Sequence, residues 1–179
     1  MTAQDVLRFW FEDTRPEQWW LADPAFDRLI AGRYADIHAQ AIRCELHAWR
    51  KNAQGRLAEI IVIDQFSRNI HRGSARAFAS DPLALALAQE AVAAGADRAL
   101  DPQQRGFLYL PYMHSESSAI HAVAEGLFRD HTAPDSYDFE LRHKAIIDRF
   151  GRYPHRNAIV GRESTAEEEA FLMEPGSSF

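Results

Sequence analysis

Residues 59–64 read EIIVID, and their conformation decides between two folds. A run rich in β-branched residues is the one serious strand candidate in the chain. The segment continues as IDQFSRNIHR over 63–72, and residues 147–156 read IDRFGRYPHR, matching it at six of ten places. Around the second copy, Phe139, His143, Ile146, Ile147 and Phe150 recur at i, i+4, i+7, i+8 and i+11. That is the stripe of a helix buried along one face. By analogy the first copy is also helical, and the chain reads as all-α.

The punctuation agrees. Asp-Pro at 23–24, 81–82 and 101–102 reads each time as an N-cap acid followed by proline at the first helical position. Ser164-Thr165-Ala166-Glu167 reads as a capping box, and Gly95 closes the helix begun at Pro82. Helices are expected over 3–12, 16–21, 24–44, 56–71, 74–79, 82–94, 102–110, 115–130, 136–151 and 165–173. Short connections favour antiparallel helix pairs, and no linker is long enough to divide residues 1–179 into two domains. Phe9-Trp10-Phe11 and Trp19-Trp20 are read as core or helix-packing residues, and Cys44 as a buried cysteine.

A lone cysteine excludes an internal disulfide and fits a reducing compartment. MTAQDVLRFWFED lacks the pattern of a signal peptide, and LALALA (83–88) is far too short to span a bilayer. A cytoplasmic location is expected. Net charge is −6, but residues 142–162 carry +5 and residues 64–76 carry +2, leaving −13 on the rest. An acidic body argues against nucleic-acid and membrane partners, which want a broad positive face. Two basic islands leave room for a small, local anion site.

Those islands are the repeated segments. On a helix, Asp64, Arg68, His71 and Arg72 share a face, with Gly73 as the C-cap. In the second copy Asp148 and Arg152 keep the i, i+4 relation, and Pro154 sends His155 and Arg156 onto a new path. One reading is structural, with Asp–Arg pairs each worth roughly 0.3–0.5 kcal/mol. Arg149, Arg156 and Arg162 have no acid at i±4, so their partners must come from elsewhere in the fold.

The other reading is that the two tails converge on one polar pocket. Arg68, Arg72, Arg152 and Arg156 would hold the charge of a phosphate, a carboxylate or a chain terminus, with the Asn69 and Asn157 amides orienting it. His71, Arg149, His155 and Arg162 complete the basic set. In PYMHSE (111–116), Pro111 is expected to end one helix and Ser115 to cap the next. His114 and Glu116 would then stand at a helix N-terminus, available for acid–base work or for capping alone.

Glu140-x-x-His143 occurs once and no HExxH is present, so no metal site is assigned. No nucleotide-binding or nucleophile motif is found, and no cofactor is expected. The terminal carboxylate of EPGSSF (174–179) is a further candidate partner for the arginines. The leading expectation is a binding module for a small anionic ligand or an acidic peptide or protein partner. Alternatives are a His/Glu acid–base enzyme and a scaffold whose arginines are internal struts.

VLRFWFED, IDQFSRNIHRG, FLYLPYMHSE, HKAIIDRFGRYPHRNAIVGR, STAEEEAFL and EPGSSF, in that order, resemble the bacterial domain-of-unknown-function family 924 from end to end. The resemblance implies a tetratricopeptide-like, right-handed array of antiparallel helix pairs, and it brings no catalytic residue with it. The chain departs from the family pattern at Ser117 and His121, where an acid and a glutamine are usual, and at Lys144-Ala145.

Overall fold

The computed structural model describes residues 1–178, and no strand occurs among them. The helices are α1 (Ala3–Arg8), α2 (Pro24–Ile42), α3 (Ala53–Ile70), α4 (Asp81–Ala93), α5 (Pro102–Met113), α6 (Ser118–His131), α7 (Pro134–Phe150), α8 (Asn157–Val160) and α9 (Ala166–Leu172).

EIIVID lies inside α3, the hub of the molecule. Every residue from Leu57 to Ser67 is buried, and α1, α2, α4 and α5 all pack against this helix. A helix enclosed on all sides must be apolar all round, which removes its amphipathic signature. The strand-like composition of 59–64 reflects that burial. Full burial of side chains such as Leu57, Ile60, Ile61 and Ile63 contributes roughly 1.5–3 kcal/mol each. The polar residues of α3 are answered individually. Glu59 accepts two hydrogen bonds from Arg50 at 2.6 and 2.7 Å, and His38 meets the Ser67 hydroxyl at 2.8 Å.

Gly55 sits where α3 meets the turn His47–Lys51, and a Cβ there would lie 1.9 Å from the Trp49 carbonyl oxygen. Gly55→Ala should therefore destabilise by about 2–3 kcal/mol despite alanine's higher helix propensity. Gly32→Ala in α2, with nothing within 4 Å, should instead gain about 0.5–1 kcal/mol. Urea midpoints of the two variants check the pair; equal shifts would contradict the close approach.

Successive helices α5, α6 and α7 pack each on the next, with residues 114–117 and 132–133 as connections. Connections this short make the packed neighbours antiparallel. A second, smaller core of Ile146, Ile147 and Tyr153, flanked by Phe150 and Phe171, ties α7 to α9. Among the described residues no helix is long and apolar enough to cross a membrane.

Several expectations are corrected. Pro111 does not end α5, which runs on to Met113, because Phe107 to Met113 are all buried and their packing outweighs the lost backbone bond. Ser117, not Ser115, is the N-cap of α6, and the α9 capping box is Thr165 with Glu168, one residue later than expected. Cys44 is exposed, because the chain leaves α2 there through a left-handed turn at φ 59°. Trp20 is 64% exposed, lying flat against Phe107 at 5.7 Å, while Trp19 packs inward. Asp81 is the first residue of α4 after the N-cap Ser80, so its carboxylate does not cap the helix.

Candidate functional site

The first basic segment divides between two neighbours. Arg68 pairs with Asp64 at 3.3 Å, as the i, i+4 spacing requires, and donates to both oxygens of Asp81 at 3.0 and 3.1 Å. On the other side of α3, Asn69 donates to Asp27 at 2.8 Å and Arg72 grips the same carboxylate with two nitrogens. Burial works to raise the Asp27 pKa, but Arg72 and Asn69 outweigh it and hold the carboxyl below its usual range. His71 meets the His38 ring edge-on at 5.4 Å. The expected common face is thus split, because α3 ends at Ile70 and the chain turns away through Gly73, at φ 77°.

The second segment bends earlier than Pro154. Gly151, at φ 68°, terminates α7, and Arg152 has left the helix. Asp148 therefore pairs with Lys144, not with Arg152 as expected. Arg152 instead holds Glu168 with two bonds of 2.6 and 2.7 Å. Asn157 donates to the Ser164 hydroxyl at 3.0 Å and to Glu168 at 3.3 Å, while Arg149 meets Glu167 at 3.0 Å. These are struts from the end of α7 to α9.

Beyond them the turn Pro154–Arg156 brings Arg156 back to Asp81 at 3.4 Å, the carboxylate that Arg68 also holds. The two copies do meet there. Arg162 closes the same region, gripping Glu116 with bonds of 2.6 and 2.8 Å, and Glu116 also accepts the Tyr153 backbone N–H at 2.8 Å. Burial pushes the Glu116 carboxyl up, but Arg162 and that N–H hold it below its ordinary value.

Around this junction lies a cleft of about 410 Å³. His114, Glu116, Arg156 and Arg162, all expected in the site, line it together with Asp81. Arg68 stands behind Asp81, and His155 packs on the Tyr153 ring at 5.5 Å. Asn69, His71 and Arg72 do not line the cleft, nor do Arg149, Arg152 and Asn157. A shallower hollow of about 330 Å³ contains Arg149 and Arg152, but Glu167 and Glu168 line it too. The Phe179 carboxylate lies outside the described residues.

Arg156 differs from the other arginines. Only 7% of the residue is exposed, and its guanidinium lies over the rings of Phe78 and Tyr153 at 4.6 and 4.5 Å. Among the described residues, the 3.4 Å contact to Asp81 is the one hydrogen bond its guanidinium makes, and Nε is buried with no acceptor among them. Burial and the nearby Arg68 charge depress its pKa, though a guanidinium stays charged.

His114 bonds Asp64 through Nδ1 at 2.8 Å. Burial, reinforced by the Arg68 charge, lowers the pKa of the imidazole against the pull of Asp64. Burial alone would raise Asp64, but Arg68 and His114 hold it far below the usual carboxylate range. The carboxylate is ionised, so the neutral ring places its hydrogen on Nδ1. Nε2 is then the basic nitrogen of a cleft residue, able to accept a proton or a donor. His155, beside the Tyr153 ring, is pushed down to about 4 by burial and the Arg156 charge.

Behind Ser115, a residue of the cleft wall, His121 and Glu140 are fully enclosed and 2.7 Å apart. His121 Nε2 lies 2.9 Å from the Ser115 carbonyl, which can only accept, so Nε2 carries a hydrogen. The Nδ1–Glu140 contact then holds one shared proton.

Sequence reasoning missed Asp81, Phe78 and Tyr153. The Asp-Pro pattern pointed to a capping role for Asp81, and nothing local marks the two rings as walls. Among the described residues, no group of three or more His, Cys, Asp or Glu is arranged to hold a metal ion.

Fold and junction together define an all-helical protein in which Arg68, Arg156 and Arg162 are tied to acids far away in sequence. The chain belongs to the family described as bacterial protein of unknown function (DUF924), which matches residues 6–176. It is similar to a solved structure of a protein of unknown function from Agrobacterium tumefaciens, with 39% identity, 96% of each chain covered and a TM-score of 0.91. No curated protein matches the chain.

Proposed function

We propose that the protein is a cytoplasmic binding module of tetratricopeptide-like helix pairs, and that the cleft holds a small anion with Arg156 as its anchor. The observation that carries this reading is the unused donor capacity of Arg156. A guanidinium offers five N–H groups in a rigid fork, and among the described residues this one makes a single long hydrogen bond while nearly enclosed. Leaving buried donors unmade is costly, so an acceptor arriving in the cleft gains what the protein itself does not supply. Arg68, Arg72, Arg149, Arg152 and Arg162 each have closer carboxylate partners and serve as struts.

A thermal melt tests the reading. With about 10 mM phosphate or acetate at matched ionic strength, a site of millimolar affinity adds about 1.4 kcal/mol, or roughly 3–6 °C for a chain of this size. The shift should vanish in Arg156→Gln and persist in Arg72→Gln, whose arginine is a strut outside the cleft. A shift of equal size in all three proteins would reject the site.

A further inference from the structure

The cleft has two kinds of wall. Asp81, His114, Glu116, Arg156 and Arg162 form its polar part. Phe78, Pro82, Leu85, Pro111 and Val160 form an apolar part that none of the ion pairs requires. Resting on the anion-site reading above, we propose that the ligand is a small amphiphilic monocarboxylate. Its carboxylate meets Arg156, and an aliphatic or aromatic body lies along the wall of Leu85, Pro111 and Val160.

Three features select this class. First, the charges of the junction are balanced: Arg68, Arg156 and Arg162 face Asp64, Asp81 and Glu116. One negative charge is accommodated by the underused guanidinium, whereas a dianion would set its second charge against Asp81 and Glu116. Second, the guanidinium lies over the Phe78 and Tyr153 rings and one terminal nitrogen holds Asp81, so a ligand meets it at the other terminal nitrogen, for which no hydrogen bond is found among the described residues. A charge-assisted bond from that nitrogen to a carboxylate oxygen is among the stronger hydrogen bonds a protein makes. Third, a cleft of about 410 Å³ with apolar walls is of the size that encloses small organic ligands, and it is far larger than a bare inorganic ion needs.

The test is a calorimetric titration of the full chain with butanoate, hexanoate and octanoate, alongside phosphate, octanol and a short N-acetylated peptide ending in leucine. Each buried methylene should tighten binding about fourfold, so octanoate should bind on the order of 10²-fold better than butanoate. Octanol should bind far more weakly than octanoate. Arg156→Gln should remove the preference for octanoate over octanol. Leu85→Ser, which leaves every ion pair in place, should flatten the chain-length dependence and serves if the arginine variant folds poorly.

Phosphate binding that depends on Arg156, with no gain along the carboxylate series, would overturn the amphiphile while leaving the anion site standing. Absence of any anion response would overturn both. Octanol binding as well as octanoate would reduce the cleft to an apolar hollow and also overturn both. A peptide acid binding more tightly than octanoate would overturn the assignment to a small molecule.

Discussion

Asp64→Ala is expected to lower the stability of the protein by about 3–5 kcal/mol, the usual cost of removing one partner from a buried ionic group. The Asp64 side chain is 1% exposed and receives Arg68 at 3.3 Å, His114 at 2.8 Å and the Gln65 amide at 2.6 Å. Alanine leaves those donors facing a void in the most enclosed helix of the molecule. Arg68 keeps Asp81, which is why the loss should stay within that range. Asp64→Asn, which preserves shape and an acceptor, should cost visibly less. Chemical denaturation of both variants checks the claim. A loss below about 1 kcal/mol for the alanine would mean that the remaining acids compensate and that Asp64 is not the keystone of the junction.

Acidification below neutrality should weaken the fold before the carboxylates that are held low, such as Asp27 and Glu116, titrate. Burial holds His38 down to about 4 and His143 to about 3, both well under the ordinary histidine value. Such imidazoles stay neutral in the fold but bind protons in the unfolded chain from about pH 6.5 downward. The unfolded state therefore takes up more protons, and stability falls with pH until the folded pKa is reached. Between about pH 6.5 and 5.5 these two residues together should remove about 2 kcal/mol. His71, His114 and His155 are shifted in the same direction and add to the loss. Carboxylates held low, such as Asp27 and Glu116, bring their own loss only at lower pH. Urea midpoints at pH 7, 6 and 5 measure the slope, and His38→Gln should reduce it. A flat profile over that range would show the imidazoles to be hydrated in solution.

The all-helical class was legible because the second copy of the decapeptide retains an amphipathic stripe that α3 has lost to the burial of residues 57–67. Helix ends were less legible. Pro111 and Asp81 carry strong local signals, and tertiary demands overrode both: enclosure of Phe107 to Met113 in one case, two arginines in the other. The copies converge at Asp81 through Arg68 and Arg156 alone, while Arg72 and Arg152 turn elsewhere. Spacing put Arg72 beside Arg68 and Arg152 beside Asp148. The chain turns at Gly73 and Gly151 redirect these side chains to Asp27 and Glu168. An arginine's partner depends on contacts far apart in sequence, so local spacing could not separate Arg156 from the struts around it.

The enclosed His121–Glu140 couple has a consequence for the field in the cleft. It holds one proton between two sites, and either arrangement, ion pair or neutral pair, sums to zero. Transfer of that proton from one partner to the other leaves the net charge of the enclosed pair unchanged. The couple thus adds no net charge in either form, and the charge balance felt by a ligand is left to the three arginines and three carboxylates of the junction.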